Sequence, residues 1–305
     1  MAEPLTFTVP AELDGERVDK VVAALGDMTR SEARDFCDAG DVSVDGEVAA
    51  AKTRLNAGQQ ITFPPAAVVG SLAAEEVDFG VLYEDEHLVV VDKPSGLTVH
   101  PGAGRTTGTL AGGLLERYPE VRGVGEAGRW GLVHRLDRET SGALLVARTA
   151  AAHEALVADL ARRRIAREYV ALVQGLFDLP RGTVDAPIGR DPHRPRRRAL
   201  IPTGRHAVTH YRMRSQWERP GVALLDVSLE TGRTHQIRVH LAGIGHSVVG
   251  DRLYGRRDPV KSPRLFLHAA RLEFVHPVSG EQMDVTSPLP TDLQDVLEGL
   301  GEPDA

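Results

Sequence analysis

Apolar residues recur at helical spacing near the start of the chain, in the stretch GERVDKVVAALG of residues 15–26. The stripe consists of Val18, Val21, Val22 and Leu25. One apolar stripe on an otherwise polar segment predicts a helix that packs one face into a core. Gly26 is placed to end that helix, because glycine tolerates the backbone geometry that follows a helix C-terminus.

A second helix is predicted over TRSEARDFCDAG, residues 29–40. Thr29 and Glu32 have the spacing of a capping box at a helix N-terminus, and Gly40 is placed to end the helix. Arg30 and Arg34 lie one turn apart on a side next to the apolar one. The second helix therefore presents positive charge to solvent.

Alternating apolar and polar residues follow around Asp45 and Gly46, and they indicate a β-hairpin with a tight turn. QQITF, residues 59–63, predicts another strand. Two helices followed by a short hairpin, with arginines on the second helix, resemble the S4 RNA-binding module. We therefore expect a small RNA-binding domain over residues 13–66.

The pattern changes after residue 63, where prolines, small residues and two acids predict a linker, placed at 67–76. Short β-rich runs follow in a domain expected over 77–305: HLVVVDKPSG, GALLVA, YVALVQG and ALLDVSLE. A helix is predicted over residues 149–164, between the second and third of these runs. Strands and helices in this order indicate a mixed α+β fold rather than a doubly wound one.

Charge is distributed unevenly along the chain. The whole chain holds 36 Lys and Arg against 43 Asp and Glu, a net charge of −7. Residues 162–214 hold 13 basic and 4 acidic residues, whereas residues 1–80 hold 6 and 15 and the tail from 272 holds none and 8. A basic middle between acidic ends favours a surface that binds nucleic acid.

Cysteine and apolar content narrow the class of protein. Cys37 is the single cysteine, so neither a disulfide framework nor a cysteine zinc site is expected. The sequence shows neither a signal-peptide pattern nor an apolar run of membrane-spanning length, so we expect a cytoplasmic protein without a membrane partner. We also expect a monomer. His235 and His240 stand five residues apart on a predicted helix, not four as in a zinc-binding pair, so no metal is expected.

The densest cluster of chemically active side chains is LVHRLDRETSG, residues 132–142. Asp137 lies between Arg135 and Arg138, and nearby cations favour a charged carboxylate. A charged carboxylate suits a nucleophile or general base. Thr140 and Ser141 can hold the shape of the loop through their hydroxyls. A surface ion-pair network has the same composition, so the cluster alone leaves both interpretations open.

HRLDRETSG is similar to the signature loop of the RluA and RluD type of pseudouridine synthases, in which the aspartate of HRLD is catalytic. Three further stretches resemble motifs of the same family: EDEHLVVVDKPSGLTVHPG (84–102), REYVALVQG (167–175) and LETGRTHQIRVHLAGIGHSVVGDRLYG (229–255). The resemblance spans nearly all of residues 15–290. It implies a mainly antiparallel sheet and an isomerase that converts uridine to pseudouridine in RNA without a cofactor.

The resemblance also implies roles for individual residues. Asp137 is the catalytic residue, Arg238 is the partner that orients it, and Tyr169 stacks on the target base and places a hydroxyl for proton transfer. Asp137 can attack C1′ of the sugar or C6 of the base, or act as the base of a glycal route, and the sequence leaves these three open. Arg135 and His134 are candidate contacts to a flipped nucleotide, with a structural hydrogen bond equally open for His134.

Further arginines are candidates for contacts to RNA phosphates. They are Arg30, Arg34, Arg162, Arg163, Arg164, Arg196, Arg197 and Arg198. The last three belong to GRDPHRPRRRALIPTGRHA, residues 189–207, which we expect to be a loop that orders on RNA. The S4-like module implies large-subunit (23S) ribosomal RNA as the target. A tRNA target, or an RNA-binding role in ribosome assembly that does not need catalysis, are the alternatives.

Overall fold

A computed structural model describes residues 4–26, 28, 30–64, 72–101, 107–126, 128–194, 197–255 and 258–304. The chain divides into two compact units, Met1–Ser71 and Leu72–Ala305. Each unit has its own apolar core. Within the described ranges, every helix is too short or too polar to cross a membrane.

The first unit packs two helices against a small antiparallel sheet. Its elements are β1 (Leu5–Thr8), α1 (Val18–Leu25), α2 (Arg30–Ala39), β2 (Ser43–Val44), β3 (Glu47–Val48) and β4 (Gln60–Phe63), and the strand order is β1-β4-β2-β3. The apolar stripe of α1 is buried, as predicted, apart from the partly exposed Leu25. Thr29, the expected cap of α2, lies outside the described residues.

In this unit the sequence predicts the hairpin turn, which depends on neighbouring residues, but not β1, which depends on a distant partner. Asp45 and Gly46 have φ of 51° and 89°, the left-handed pair that a type I′ hairpin turn requires, so the predicted hairpin is confirmed. β1 precedes residue 13, where the sequence placed the start of the domain, and pairs with β4 from Leu5 to Thr8. Four residues with little burial give no alternating pattern, which is why the sequence did not indicate β1.

The second unit is built on one large sheet. Its strands are β5 (Gly80–Glu84), β6 (Leu88–Lys93), β7 (Ser141–Ala147), β8 (Ala166–Gln174), β9 (Arg181–Asp185), β10 (Ile188–Arg190), β11 (Arg198–Leu200), β12 (Val208–Trp217), β13 (Val222–Leu229), β14 (Leu267–Val275) and β15 (Gln282–Thr286). Its helices are α3 (Leu110–Arg117), α4 (Ala150–Ala161), α5 (Gln236–Gly243) and α6 (Thr291–Glu298). Nine strands pair in the order β5-β6-β7-β14-β8-β13-β12-β9, with β15 beside β14.

The pairings in this sheet are antiparallel except for β7 with β14, which is parallel. The predicted α+β class with a mainly antiparallel sheet is therefore confirmed. β7 reads as a continuous apolar run because both of its faces are covered. Leu144 and Val146 join the core that contains α3, and Ala143 and Leu145 join the core that contains α4.

The basic stretch of residues 189–207 was expected to be a loop, and this is wrong for part of it. Residues 188–190 and 198–200 form an antiparallel hairpin, in which Ile188 pairs with Leu200 and Arg190 with Arg198. The turn is supported by Asp191, whose carboxylate accepts the backbone N–H groups of His193 and Arg194 at 2.8 and 3.0 Å. Each strand has only three residues, which is too few to show an alternating apolar and polar pattern in a stretch so rich in arginine.

Gly142 is the second residue of β7 and pairs with Ala269 of the parallel strand β14. Its φ is 111°, and a Cβ built there would lie 2.2 Å from the carbonyl oxygen of Ala269 on β14. We expect Gly142→Ala to lower the free energy of unfolding by about 3 kcal/mol or more, since both backbone strain and overlap oppose it. Urea denaturation of the two proteins measures the difference.

Gly245 provides the matched control, because it also has a left-handed φ, 93°, but no atom within 4 Å of its would-be Cβ. Gly245→Ala is expected to cost only the backbone term, about 1 kcal/mol. Equal losses for the two variants would show that the contact with Ala269 is unimportant.

Candidate active site

The loop of residues 133–140 carries Asp137 and is clamped by the turn that follows β6. Lys93 is fully buried, and its Nζ donates to the carbonyl oxygens of Pro94, Leu97 and Arg138 at 2.8, 2.9 and 3.1 Å. Burial lowers the pKa of Lys93 to about 7, while the carboxylates of Asp137 and Glu139 act in the opposite direction. The lysine of the KPSG stretch thus joins two motifs that are distant in sequence.

Further hydrogen bonds fix the same loop. The backbone N–H of Gly96 donates to the Arg138 carbonyl at 2.8 Å, and the Ser95 hydroxyl donates to the Glu139 carbonyl at 2.8 Å. The side chains of Arg138 and Glu139 pair with each other at 3.3 Å. These two residues therefore support the loop through their backbones, and the Arg138 side chain adds a hydrogen bond from Nε to the Gly96 carbonyl at 3.2 Å beside its ion pair with Glu139.

The far end of the loop is held from β14. Nδ1 of His268 lies 2.9 Å from the Ser141 hydroxyl, and Nε2 of His268 lies 3.0 Å from the carbonyl of Ser287. A carbonyl only accepts, so Nε2 donates to it and Nδ1 accepts from Ser141. Burial lowers the pKa of His268, which is consistent with this neutral ring. A satisfied, neutral polar contact thus joins the motif loop to the central strand.

Asp137 faces Arg238 of α5 across the site. Nη1 of Arg238 lies 3.3 Å from Oδ2 of Asp137. The rest of the guanidinium is occupied by Asp251, with Nε 2.7 Å from Oδ2 and Nη2 2.9 Å from Oδ1. Arg238 therefore does not present its fork to Asp137, as the sequence had suggested, but offers it a single N–H.

Asp251 is the residue that the sequence did not indicate. Its side chain has no exposed surface, and its Oδ1 also accepts the backbone N–H groups of Leu253 and Tyr254 at 2.9 and 3.0 Å. Burial alone would raise the pKa of Asp251, but the bonds from Arg238 and from these N–H groups outweigh it and lower the pKa. A charged Asp251 compensates Arg238 and fixes its position.

Tyr169 lies on β8, between β13 and β14, where it pairs with Val227 and Ala269. Its side chain is buried in the main core, yet it lines the cavity that contains Asp137. Burial raises the pKa of Tyr169, and the charge of Asp137 adds to that effect. The phenol is therefore protonated at neutral pH, and its ring forms one wall of the site.

The cavity has a volume of about 520 Å³. It brings together the three residues that the sequence singled out for catalysis, with His134, Arg135 and Arg163 also at its walls. Apolar side chains of Ile237 and Leu267 complete the wall around Asp137. A cavity of this size, whose walls combine apolar side chains with many charged and polar ones, suits a ligand as large as a nucleoside.

His134 and Arg135 have different surroundings. Nε2 of His134 accepts the backbone N–H of Leu145 at 3.1 Å, and burial lowers the pKa of His134 to about 3, so the ring is neutral. This contact favours the structural role of His134. Arg135 is exposed at the rim, with Nη1 3.4 Å from Nε2 of His100, and burial together with Arg135 lowers the pKa of His100 to about 4. The guanidinium of Arg135 remains available for a phosphate.

Of the three arginines after α4, one lines the cavity. Arg163 lines it and pairs with Glu230, Arg164 lies 3.5 Å from Asp159, and Arg162 is exposed. On β11 and just before it, Arg197 lies over the Tyr254 ring, 5.9 Å from its centre, and the Arg198 N–H donates to the Tyr254 hydroxyl. Arg196 lies outside the described residues.

The two candidate arginines of the first unit are engaged within that unit. Nη2 of Arg30 lies 3.2 Å from Oδ1 of Asp19, and Nε of Arg34 lies 3.7 Å from Oδ2 of Asp38. Asp19 is buried and is also held by Arg17. Exposed pairs such as Arg34 with Asp38 contribute little to stability.

His235 also departs from its expected position. It does not lie on the helix with His240 but immediately precedes α5, in a left-handed conformation. Nε2 of His235 lies 4.0 Å from Oδ2 of Asp137. No pattern in the sequence indicates this contact, because it depends on the backbone geometry at the start of α5.

A carboxylate held by a buried arginine, next to a tyrosine ring in a cavity with arginines at its rim, defines a class of enzyme that acts on a nucleotide within a polyanion. Comparisons with known proteins identify the family. Residues 87–243 match the model of RNA pseudouridylate synthases, and residues 16–61 match the S4 domain. The chain belongs to the RNA pseudouridylate synthase family and is an isomerase.

Individual relatives agree over nearly the whole length. The ribosomal large subunit pseudouridine synthase D of Xanthomonas campestris is 42% identical over 314 residues, which cover 97% of this chain and 92% of the relative. An uncharacterized RNA pseudouridine synthase of Chloroflexus aurantiacus is 45% identical, covering 98% and 94%. The solved structure of human RNA pseudouridylate synthase domain containing 1 has a TM-score of 0.56 and 27% identity, covering 75% of this chain and 97% of that one.

Proposed function

We propose that this enzyme isomerises specific uridines of large-subunit ribosomal RNA, with Asp137 as its catalytic carboxylate. The observation that carries the catalytic role is the arrangement of Asp137, Arg238 and Asp251. Asp251 neutralises and fixes the guanidinium, which leaves one N–H for Oδ2 of Asp137. Within the described residues no hydrogen bond engages Oδ1 of Asp137, and the residue lines the cavity, so we assign this oxygen the role of the reacting atom.

The reaction breaks the C1′–N1 bond of uridine, turns the base, joins C1′ to C5 and moves a proton from C5 to N1. Atoms and electrons balance within the nucleotide itself. A target inside folded RNA has to leave the base stack to reach Asp137, and the cavity has the size for the extruded nucleoside. Tyr169 offers its ring as a stacking surface for the uracil, while the rim arginines bind the neighbouring phosphates.

The choice of ribosomal RNA is supported by the S4 domain and by the names of relatives such as the Xanthomonas campestris enzyme. The proposal places the enzyme in the cytoplasm, where ribosomal RNA is made in bacteria. A monomer suffices, since one chain supplies every residue that we assign to the site.

Incubation of the purified protein with separate transcripts tests the target. Large-subunit ribosomal RNA and a pool of tRNAs serve as the two substrates, and carbodiimide adducts that stop reverse transcription map each pseudouridine. We expect discrete stops in the ribosomal transcript and none in the tRNAs. Stops in tRNA alone would overturn the proposed target while leaving the isomerase activity in place.

A further inference from the structure

His235 is held beside Asp137 in a conformation that non-glycine residues rarely adopt. Its φ is 59° and its ψ is 21°, in the left-handed region. This conformation costs about 1–3 kcal/mol and persists where surrounding contacts enforce it, commonly at functional sites. The side chain is 20% exposed and lines the cavity.

Tyr254 determines which nitrogen of the His235 ring carries hydrogen. The Tyr254 hydroxyl lies 2.8 Å from Nδ1 of His235 and accepts the backbone N–H of Arg198 at 2.8 Å. Burial raises the pKa of Tyr254 and lowers the pKa of His235, so the phenol keeps its hydrogen and the imidazole is neutral. The phenol then donates to Nδ1, which places the ring hydrogen on Nε2.

The Tyr254 ring is itself fixed from two sides. Its centre lies 5.2 Å from the Arg238 guanidinium and 5.9 Å from that of Arg197, both at cation–π distance. Its backbone N–H donates to Asp251 at 3.0 Å. The hydroxyl is therefore held firmly between β11 and the ion pair of Arg238 with Asp251.

Nε2 of His235 lies near Asp137 but makes no hydrogen bond to it. It lies 4.0 Å from Oδ2 of Asp137, which is beyond hydrogen-bond distance. Resting on the assignment of Asp137 above, we propose that His235 is a further catalytic residue that donates from Nε2 to a carbonyl oxygen of the target uracil, and that Tyr254 is the positioning residue that fixes its tautomer.

The charged and titratable groups that face His235 are Asp137, Arg238, Asp251, Arg198 and Tyr254. The two carboxylates favour an imidazolium, whereas burial and the two guanidiniums oppose it. A hydrogen bond donated to Nδ1 also opposes it, because that nitrogen has to accept the proton. Removal of the Tyr254 hydroxyl therefore raises the pKa of His235.

Tyr254→Phe in the full chain tests the positioning role. We expect kcat on the ribosomal transcript to fall about tenfold, because the Nε2–H of His235 is no longer held in position to donate to the uracil carbonyl. KM should stay within about twofold, because RNA binding does not depend on this donor. We also expect kcat of the variant to fall at acidic pH where wild type does not, because His235 gains a proton and the resulting imidazolium pairs with Asp137, which lies 4.0 Å away. Tyr83→Phe is the matched control, because Tyr83 on β5 donates its hydroxyl to Asp85, and neither residue is among those that line the cavity. An unchanged kcat and pH profile for Tyr254→Phe would overturn the role of Tyr254.

Two substitutions of His235 distinguish the role of its Nε2–H donor from the role of its left-handed backbone conformation. Glutamine places an amide N–H near the position of Nε2, whereas asparagine is too short to reach but tolerates the left-handed backbone better. We expect His235→Gln to retain at least about tenfold more activity than His235→Asn. The reverse order, or equal activities, would show that only the backbone conformation matters.

The tautomer is also measurable without turnover. Nitrogen-15 spectra of the histidine rings, assigned with His235→Gln, should show a protonated Nε2 and a bare Nδ1 for His235. A protonated Nδ1 would overturn this inference. Activity that survives Asp137→Asn would instead overturn the proposed function and leave the tautomer unaffected, so the two failures are distinguishable.

Discussion

Asp137→Asn is expected to abolish pseudouridine formation, by about 10,000-fold or more in kcat, because an amide is neither a nucleophile nor a base. The fold should survive the exchange. Arg238 remains paired with Asp251, so no buried charge is left without compensation. Product formation on the transcript, RNA affinity from filter binding, and urea denaturation measure the three quantities, and only the first should change by more than about twofold.

Glu139 provides the matched control for this substitution, since it is a second carboxylate on the same loop. Its side chain forms an ion pair with Arg138 at 3.3 Å, with 58% and 45% of the two side chains exposed. Glu139→Gln should therefore leave kcat within about twofold. An active Asp137→Asn enzyme would disprove the catalytic assignment. Complete rescue of a deletion strain by Asp137→Asn would instead favour the role in ribosome assembly that does not need catalysis.

Asp251→Asn is expected to have the second largest effect, on both stability and rate. The variant leaves the buried Arg238 without its main counter-charge, which costs about 3 kcal/mol of unfolding free energy. Arg238 is then free to turn its fork toward Asp137, and a displacement of about 1 Å at a reacting carboxylate costs about 100-fold in rate. Urea denaturation and single-turnover kinetics measure the two losses separately.

Asp226 on β13 offers the corresponding control, because it also pairs with arginines but its side chain is partly exposed. It lies 2.7 Å from Nη2 of Arg212, whose side chain is 74% exposed. Asp226→Asn should cost less than about 1 kcal/mol. If Asp251→Asn proved as stable as Asp226→Asn, the buried pair would not be what fixes Arg238.

The same ion pair predicts a dependence of stability on pH. The pKa of Asp251 is lowered in the folded protein despite burial, so its contribution is fully present above its unfolded value, about pH 4. The contribution is lost as the pH falls through the lower folded-state value. Asp251→Asn should therefore flatten the loss of stability below about pH 4 relative to wild type.

Local patterns were sufficient to locate most elements of the fold. The stripe of α1, the hairpin turn at Asp45 and Gly46, and the apolar run of β7 each carry their structure within a few neighbouring residues. β1 was not indicated because it is short and pairs with β4 far along the chain, and β10 and β11 were not indicated because each has only three residues. The elements that sequence patterns miss are those whose pairing is the only reason that they form.

The candidate site shows the same division. Asp137, Tyr169 and Arg238 stood out through their motifs, and the structure brings them to one cavity. The partner of Arg238 could not be inferred, because Asp251 and Asp137 compete for one guanidinium and only the packing around α5 decides between them. The contact of Tyr254 with His235 likewise depends on a left-handed residue that no pattern indicates.

The parallel pairing of β7 with β14 has a consequence for how the enzyme is made. β14 lies in the middle of the sheet and holds Ser141 through His268, although the two residues are 127 positions apart. A nascent chain therefore lacks the contact that holds the far end of the Asp137 loop until Leu267–Val275 has left the ribosome. Chains that terminate early would expose the edges of β7 and β8 and would be targets for quality control before they could modify any RNA.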